Sequence, residues 1–158
     1  MNDAYLQWKN RALTMLDRKP RTVHEFCVKM RDKGCDDETL ARITADFEEA
    51  GYLDDESYVH EWLATVAKRR GYGINLIRAK LKRKGISREV VDTIYCDDYA
   101  LQENDIALRE AQKKINKISF EISDKKRAQK LAQFLNGRGF THDSIMHVLS
   151  VLGLKLYE

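Results

Sequence analysis

Between residues 68 and 88 the chain carries Lys68, Arg69, Arg70, Arg78, Lys80, Lys82, Arg83, Lys84 and Arg88, and not one acid. Ammonium and guanidinium groups at that density recognise anions, either phosphates or the carboxylates of an acidic protein face. The formal net charge of +3 conceals the run. Residues 36–61 offset it with Asp36, Asp37, Glu38, Asp46, Glu48, Glu49, Asp54, Asp55, Glu56 and Glu61 against Arg42 alone. Lys68, Arg69, Arg70, Arg78, Lys80, Lys82, Arg83 and Lys84 are therefore the candidate contacts to a partner or to DNA. Tyr72, between Gly71 and Gly73, stands beside them. It has two readings: a ring that stacks on a base, or one that packs over its turn.

Other residues that could do chemistry fall short of a motif. Gly71-Tyr72-Gly73 has no strand before it and no following GK[ST], so it reads as a helix end and a helix start. His142 and His147 are five apart, whereas four would place two ligands on one helical face. His24 and His60 have no acidic or Cys partner at ligand spacing. Asp54-Asp55-Glu56 could hold a divalent ion, but helix capping and first-turn charge explain it better. Cys27, Cys35 and Cys96 are odd in number and lack CxxC spacing, against a disulfide or zinc framework. They read as small semi-buried side chains in a reducing cytoplasm. No Ser or Cys has a nucleophile context. The expectation is a protein that binds rather than catalyses, with no catalytic residue, cofactor or metal site.

The elements that carry these residues repeat. Gly34, Gly85 and Gly139 recur at a period of about fifty residues. Eight positions before them stand Phe26, Ile77 and Leu131, and four before stand Met30, Leu81 and Leu135. An apolar i, i+4 pair closing on Gly is a helix face ending in a left-handed residue. After each Gly come an apolar residue (Cys35, Ile86, Phe140), an N-cap candidate (Asp36, Ser87, Thr141) and a first-turn acid (Glu38, Glu89, Asp143). Helical spacing then resumes at Leu40, Ile43 and Phe47, at Val91 and Ile94, and at Ile145, Val148 and Leu152. Each pair is preceded by an amphipathic helix: 3–17 through Tyr5, Trp8, Ala12 and Leu16; 55–69 through Tyr58, Trp62 and Val66; 98–118 through Leu101, Ala107, Ala111, Ile115 and Ile118. Thr22 with Glu25 reads as a capping box. On a helix over 74–84, Ile74, Ile77 and Leu81 form the apolar stripe, flanked by Arg78 and Lys82, with Lys80 and Arg83 projecting opposite.

The fold predicted is all-α: three tandem three-helix repeats over 1–51, 52–98 and 99–158, about nine helices in an elongated, curved array. A charged content of 34% with one Pro suits well-solvated helices. No run approaches the ~18 apolar residues of a membrane span. The start, Met1-Asn2-Asp3-Ala4-Tyr5, lacks a basic segment followed by an apolar one. A cytoplasmic monomer is expected.

Gly51-Tyr52-Leu53-Asp54-Asp55, then Gly71-Tyr72-Gly73-Ile74, then Ile77, Leu81 and Lys84-Gly85-Ile86 closely resemble the RecX family of bacterial recombination regulators. The likeness is strongest over about 50–95. In the first unit, Arg21-Thr22-Val23-His24-Glu25-Phe26 is similar to the family's helix start. The resemblance implies arrays of three-helix units that lie in the groove of a RecA recombinase filament on single-stranded DNA. There they bridge protomers and restrain filament growth, ATP hydrolysis and strand exchange. An autonomous nucleic-acid-binding module acting through residues 68–88 is the alternative.

Overall fold

A computed structural model describes residues 3–157. Met1, Asn2 and Glu158, assigned above to the outer ends of the first and third units, lie outside the described residues. Unit one comprises α1 (Asp3–Arg18), α2 (Val23–Asp32) and α3 (Asp37–Ala50). In unit two, α4 runs continuously through Asp55–Trp62, a π-helical turn Leu63–Ala67 and Lys68–Arg70. It is followed by α5 (Ile74–Arg83) and α6 (Arg88–Asp98). Unit three opens with a 3-10 turn (Ala100–Gln102) and continues with α7 (Glu103–Ile115), α8 (Asp124–Gly137) and α9 (His142–Val151). The described residues are helical with no strand, as predicted.

The repeated turn forms as its residue types dictate. Gly34, Gly85 and Gly139 take φ of 96, 81 and 90°, a region costly to a residue with a Cβ. The next amide closes each helix: Cys35 donates to the Met30 carbonyl at 3.1 Å, Ile86 to Leu81 at 3.1 Å and Phe140 to Leu135 at 3.2 Å. Asp36, Ser87 and Thr141 then accept from Thr39, Val90 and Ser144 amides. The Thr22–Glu25 capping box is present in both directions.

Packing distinguishes units that share one grammar. Unit one closes on its own core, built on Ala12, Phe26, Met30, Ile43 and Phe47. Units two and three share a single core in which Ile77 and Leu81 join Ala107, Leu131 and Phe140. The third unit departs from the predicted 98–118 helix. Tyr99 leaves helical geometry because its ring is buried and its hydroxyl donates to the Tyr72 carbonyl at 2.8 Å. Leu101, expected in the core, consequently sits on the 3-10 turn at 94% exposure. Ile118 is buried although α7 ends at Ile115.

Candidate nucleic-acid interface

The joints between units set the direction of α5, and both are built alike. At the first, the Val23 amide that opens α2 donates to Asp55 at 2.9 Å, and the Thr22 hydroxyl donates to the Lys84 carbonyl at 2.6 Å. At the second, the Ile74 amide that opens α5 donates to Glu103 at 3.1 Å. The Gly73 and Asn75 amides donate to the Arg138 and Gly139 carbonyls at 2.8 and 2.9 Å. In each, the acid that opens the first long helix of one unit, Asp55 or Glu103, caps the second helix of the unit before it. The turn glycine of the later unit receives that same helix start: a Cβ on Gly85 would overlap His24, and one on Gly139 would overlap Leu76. Asp54 caps its own helix through the Ser57 amide at 3.1 Å, so the acidic triplet is structural, with Asp55 reaching across a joint.

This frame sorts the eight predicted contacts. Lys68, Arg69 and Arg70, at the end of α4, are exposed, as are Lys82 and Arg83 on α5. Three others are engaged inside the molecule. Arg78 forks onto Asp92, Nε to Oδ1 at 2.7 Å and Nη2 to Oδ2 at 3.2 Å. Hydrogen bonds from Arg78 therefore hold the Asp92 carboxyl below its ordinary range, assisted by Arg88 and opposed by partial burial. Lys84 reaches Glu25 across the first joint at 3.3 Å. Burial works against ionising Glu25, but the Thr22 amide and Lys84 outweigh it and the carboxyl is held low. Lys80, projected toward solvent by helical angle, instead places its ammonium 5.1 Å from the centroid of the Tyr72 ring.

Tyr72 resolves in favour of packing. It is 5% exposed and lies against Trp62 with centroids 6.1 Å apart, so no base can stack on it. Two residues with no place among the predicted contacts belong beside Lys68–Arg70. Arg138 Nη1 donates to the Arg70 carbonyl at 3.1 Å, and Arg109 Nη2 to that of Lys68. Both guanidinium groups come from unit three and meet the negative end of α4. Arg138 had a sequence signal, a cation just before the turn glycine, but it serves a different helix from its own. Arg109 had none. His60, without a partner at ligand spacing, pairs through Nδ1 with Asp98 at the end of α6. Among the described residues no three His, Cys, Asp or Glu side chains converge as a metal site would require.

The described helices are neither long nor apolar enough to cross a membrane. What remains on the surface is a basic ridge spanning the end of α4, the solvent side of α5 and the Arg109 and Arg138 guanidinium groups of unit three.

Comparison with known proteins finds two family models, one inside the second unit and one inside the third. The family model described as "RecX, second three-helix domain" fits residues 54–93, and "RecX, third three-helix domain" fits residues 102–149. Regulatory protein RecX of Clostridium botulinum (strain Alaska E43 / Type E3) is 30% identical over 158 residues, covering 99% of this chain and 74% of the relative. The chain belongs to the RecX family. Regulatory protein RecX of Clostridium perfringens (strain 13 / Type A) is 32% identical over 142 residues, 89% of this chain and 66% of that protein. The chain thus spans about two thirds of that relative's length. The crystal structure of RecX from Lactobacillus salivarius superposes with a TM-score of 0.84 at 20% identity, covering 97% of this chain and 99% of the other. That RecX structure shares the fold. The relatives are named as regulatory proteins.

Proposed function

We propose that this chain is a non-catalytic regulator that binds a RecA-type recombinase filament on single-stranded DNA. Bound there, it restrains filament extension, ATP hydrolysis and strand exchange, and so tempers recombinational repair and the SOS response in the cytoplasm. The observation that carries the reading is a basic ridge at the joint of units two and three, drawn mainly from the acid-free run 68–88, in a chain of the RecX family. Such a ridge suits a groove whose walls carry DNA phosphate and protein charge. The test is titration into the cognate recombinase while ATPase and strand exchange are followed. Inhibition at substoichiometric amounts is expected, and no inhibition at any ratio overturns the proposal.

A second reading is autonomous nucleic-acid binding through residues 68–88. It is supported by Lys68, Arg69, Arg70, Lys82 and Arg83 standing exposed. It predicts affinity for bare single-stranded DNA that falls steeply with salt, since neutralised phosphates release counterions. Charge reversal at Arg69, Arg70, Lys80 and Arg83 that left this affinity intact would exclude it.

A further inference from the structure

We infer that unit one carries a separate phosphodiester-binding cleft between α1 and α2. The first unit is acidic over 36–50, on α3, yet its bases collect elsewhere. A cleft of about 520 Å³ is lined by Arg11 and Arg18 of α1, Arg21 of the connection, and Lys29 and Lys33 at the far end of α2, with Met15 the one apolar residue on its wall. No acid lines it. Of the acids close in sequence, Asp17 lines a different groove, against α4, and Glu25 is taken by Lys84 at the first joint. The cleft shares only Arg21 with that groove.

Two observations point to a ligand. Arg18, Lys29 and Lys33 are exposed and form no ion pair among the described residues, so like charges face one another across the cleft with nothing to neutralise them. The Arg21 Nε is buried without an acceptor, and a buried guanidinium N–H left unpaired is costly. An anion entering here neutralises the facing cations, and Arg21 lines the same cleft. Arg11 is already braced, its guanidinium 4.9 Å from the Trp8 ring centroid.

Phosphodiester fits better than an acidic peptide. Peptide affinity is concentrated in apolar and aromatic anchors that fill pockets, and a wall whose single apolar residue is Met15 offers none. A phosphate backbone needs only cations and polar donors at the right spacing. These bases are interleaved in sequence with Asp17, Glu25 and Asp32, so they form no acid-free run. Only the tertiary placement of α1 beside α2 assembles them.

The experiment uses the full chain and a labelled oligothymidylate, followed by fluorescence anisotropy across a salt series without recombinase. Arg18→Ala and Lys29→Ala are compared with Arg31→Ala, which removes the same charge from unit one but lies outside the cleft, paired with Asp37. A thermal melt confirms that each variant is folded. Each cleft variant is expected to weaken binding roughly five- to tenfold at low salt and to lower the slope of log K against log salt by about 0.7. Arg31→Ala is expected to change neither. Cleft variants that behave like Arg31→Ala overturn the inference. So does displacement of the DNA by polyglutamate as readily as by inorganic polyphosphate at equal charge. Because no recombinase is present, either failure is distinct from a failure of filament inhibition.

Discussion

The Glu103 carboxylate of unit three accepts the Ile74 amide proton at 3.1 Å, and with its other oxygen it accepts the Tyr95 hydroxyl. One buried acid therefore caps α5 from the neighbouring unit and ties it to α6. Glu103 is 7% exposed, so its removal leaves two donors without water to replace it. Glu103→Ala is expected to lower stability by about 2–4 kcal/mol, read from urea unfolding. Glu103→Gln keeps an acceptor and should lose distinctly less. Equal losses would show that the contact does not organise the joint.

The turn glycines share a backbone conformation but not an environment, so the same substitution should cost differently. At Gly34 a Cβ meets nothing within 4 Å, and Gly34→Ala should cost about 1–2 kcal/mol, the penalty of the left-handed conformation alone. At Gly139 the same Cβ overlaps Leu76, so Gly139→Ala must also open the joint. Gly73 has ordinary φ of −90°, yet its Cβ would overlap the Gly139–Phe140 backbone. Both joint variants are expected to be clearly less stable than Gly34→Ala in parallel thermal melts.

Thr22 is fully buried. Its hydroxyl oxygen accepts from the Glu25 amide at 3.1 Å and its proton goes to the Lys84 carbonyl. Thr22→Val should cost about 1–2 kcal/mol through the lost cap and the unpaired groups. Because unit one has its own core, hydrogen exchange should rise across 23–50 with little change in α8 and α9. A uniform rise would mean that the three units unfold as one.

Asp92 restrains Arg78, and its depressed carboxyl makes a signed prediction. A group whose pKa is lower in the folded state contributes fully above its unfolded pKa, and that contribution is lost as pH falls through the folded value. Stability should therefore decline on acidification below about pH 4, with a shallower decline in Asp92→Asn. The same variant frees Arg78 and Arg88, and should bind single-stranded DNA severalfold more tightly at neutral pH. Anisotropy titrations check the second outcome and acid unfolding the first.

The helices, the three glycine turns and their caps were legible in the chain because each depends on residues close in sequence. Positive φ, an i, i+4 apolar pair and a cap side chain are local physics. The acid-free run at 68–88 was legible for the same reason, and so were the motifs between Gly51 and Ile86 that carry the resemblance to the family. Which of those cations face solvent was not legible. Asp92, Glu25 and the Tyr72 ring claim Arg78, Lys84 and Lys80, and Glu25 does so from another unit. Arg109 and Arg138 join the ridge, and the bases of α1 and α2 form their cleft, only through contacts between helices. Sequence alone determined the repeated unit. Tertiary packing decided that two units fuse around one core, that turn glycines double as docking surfaces, and which charges remain free, because pairing of charges is settled by distance in space.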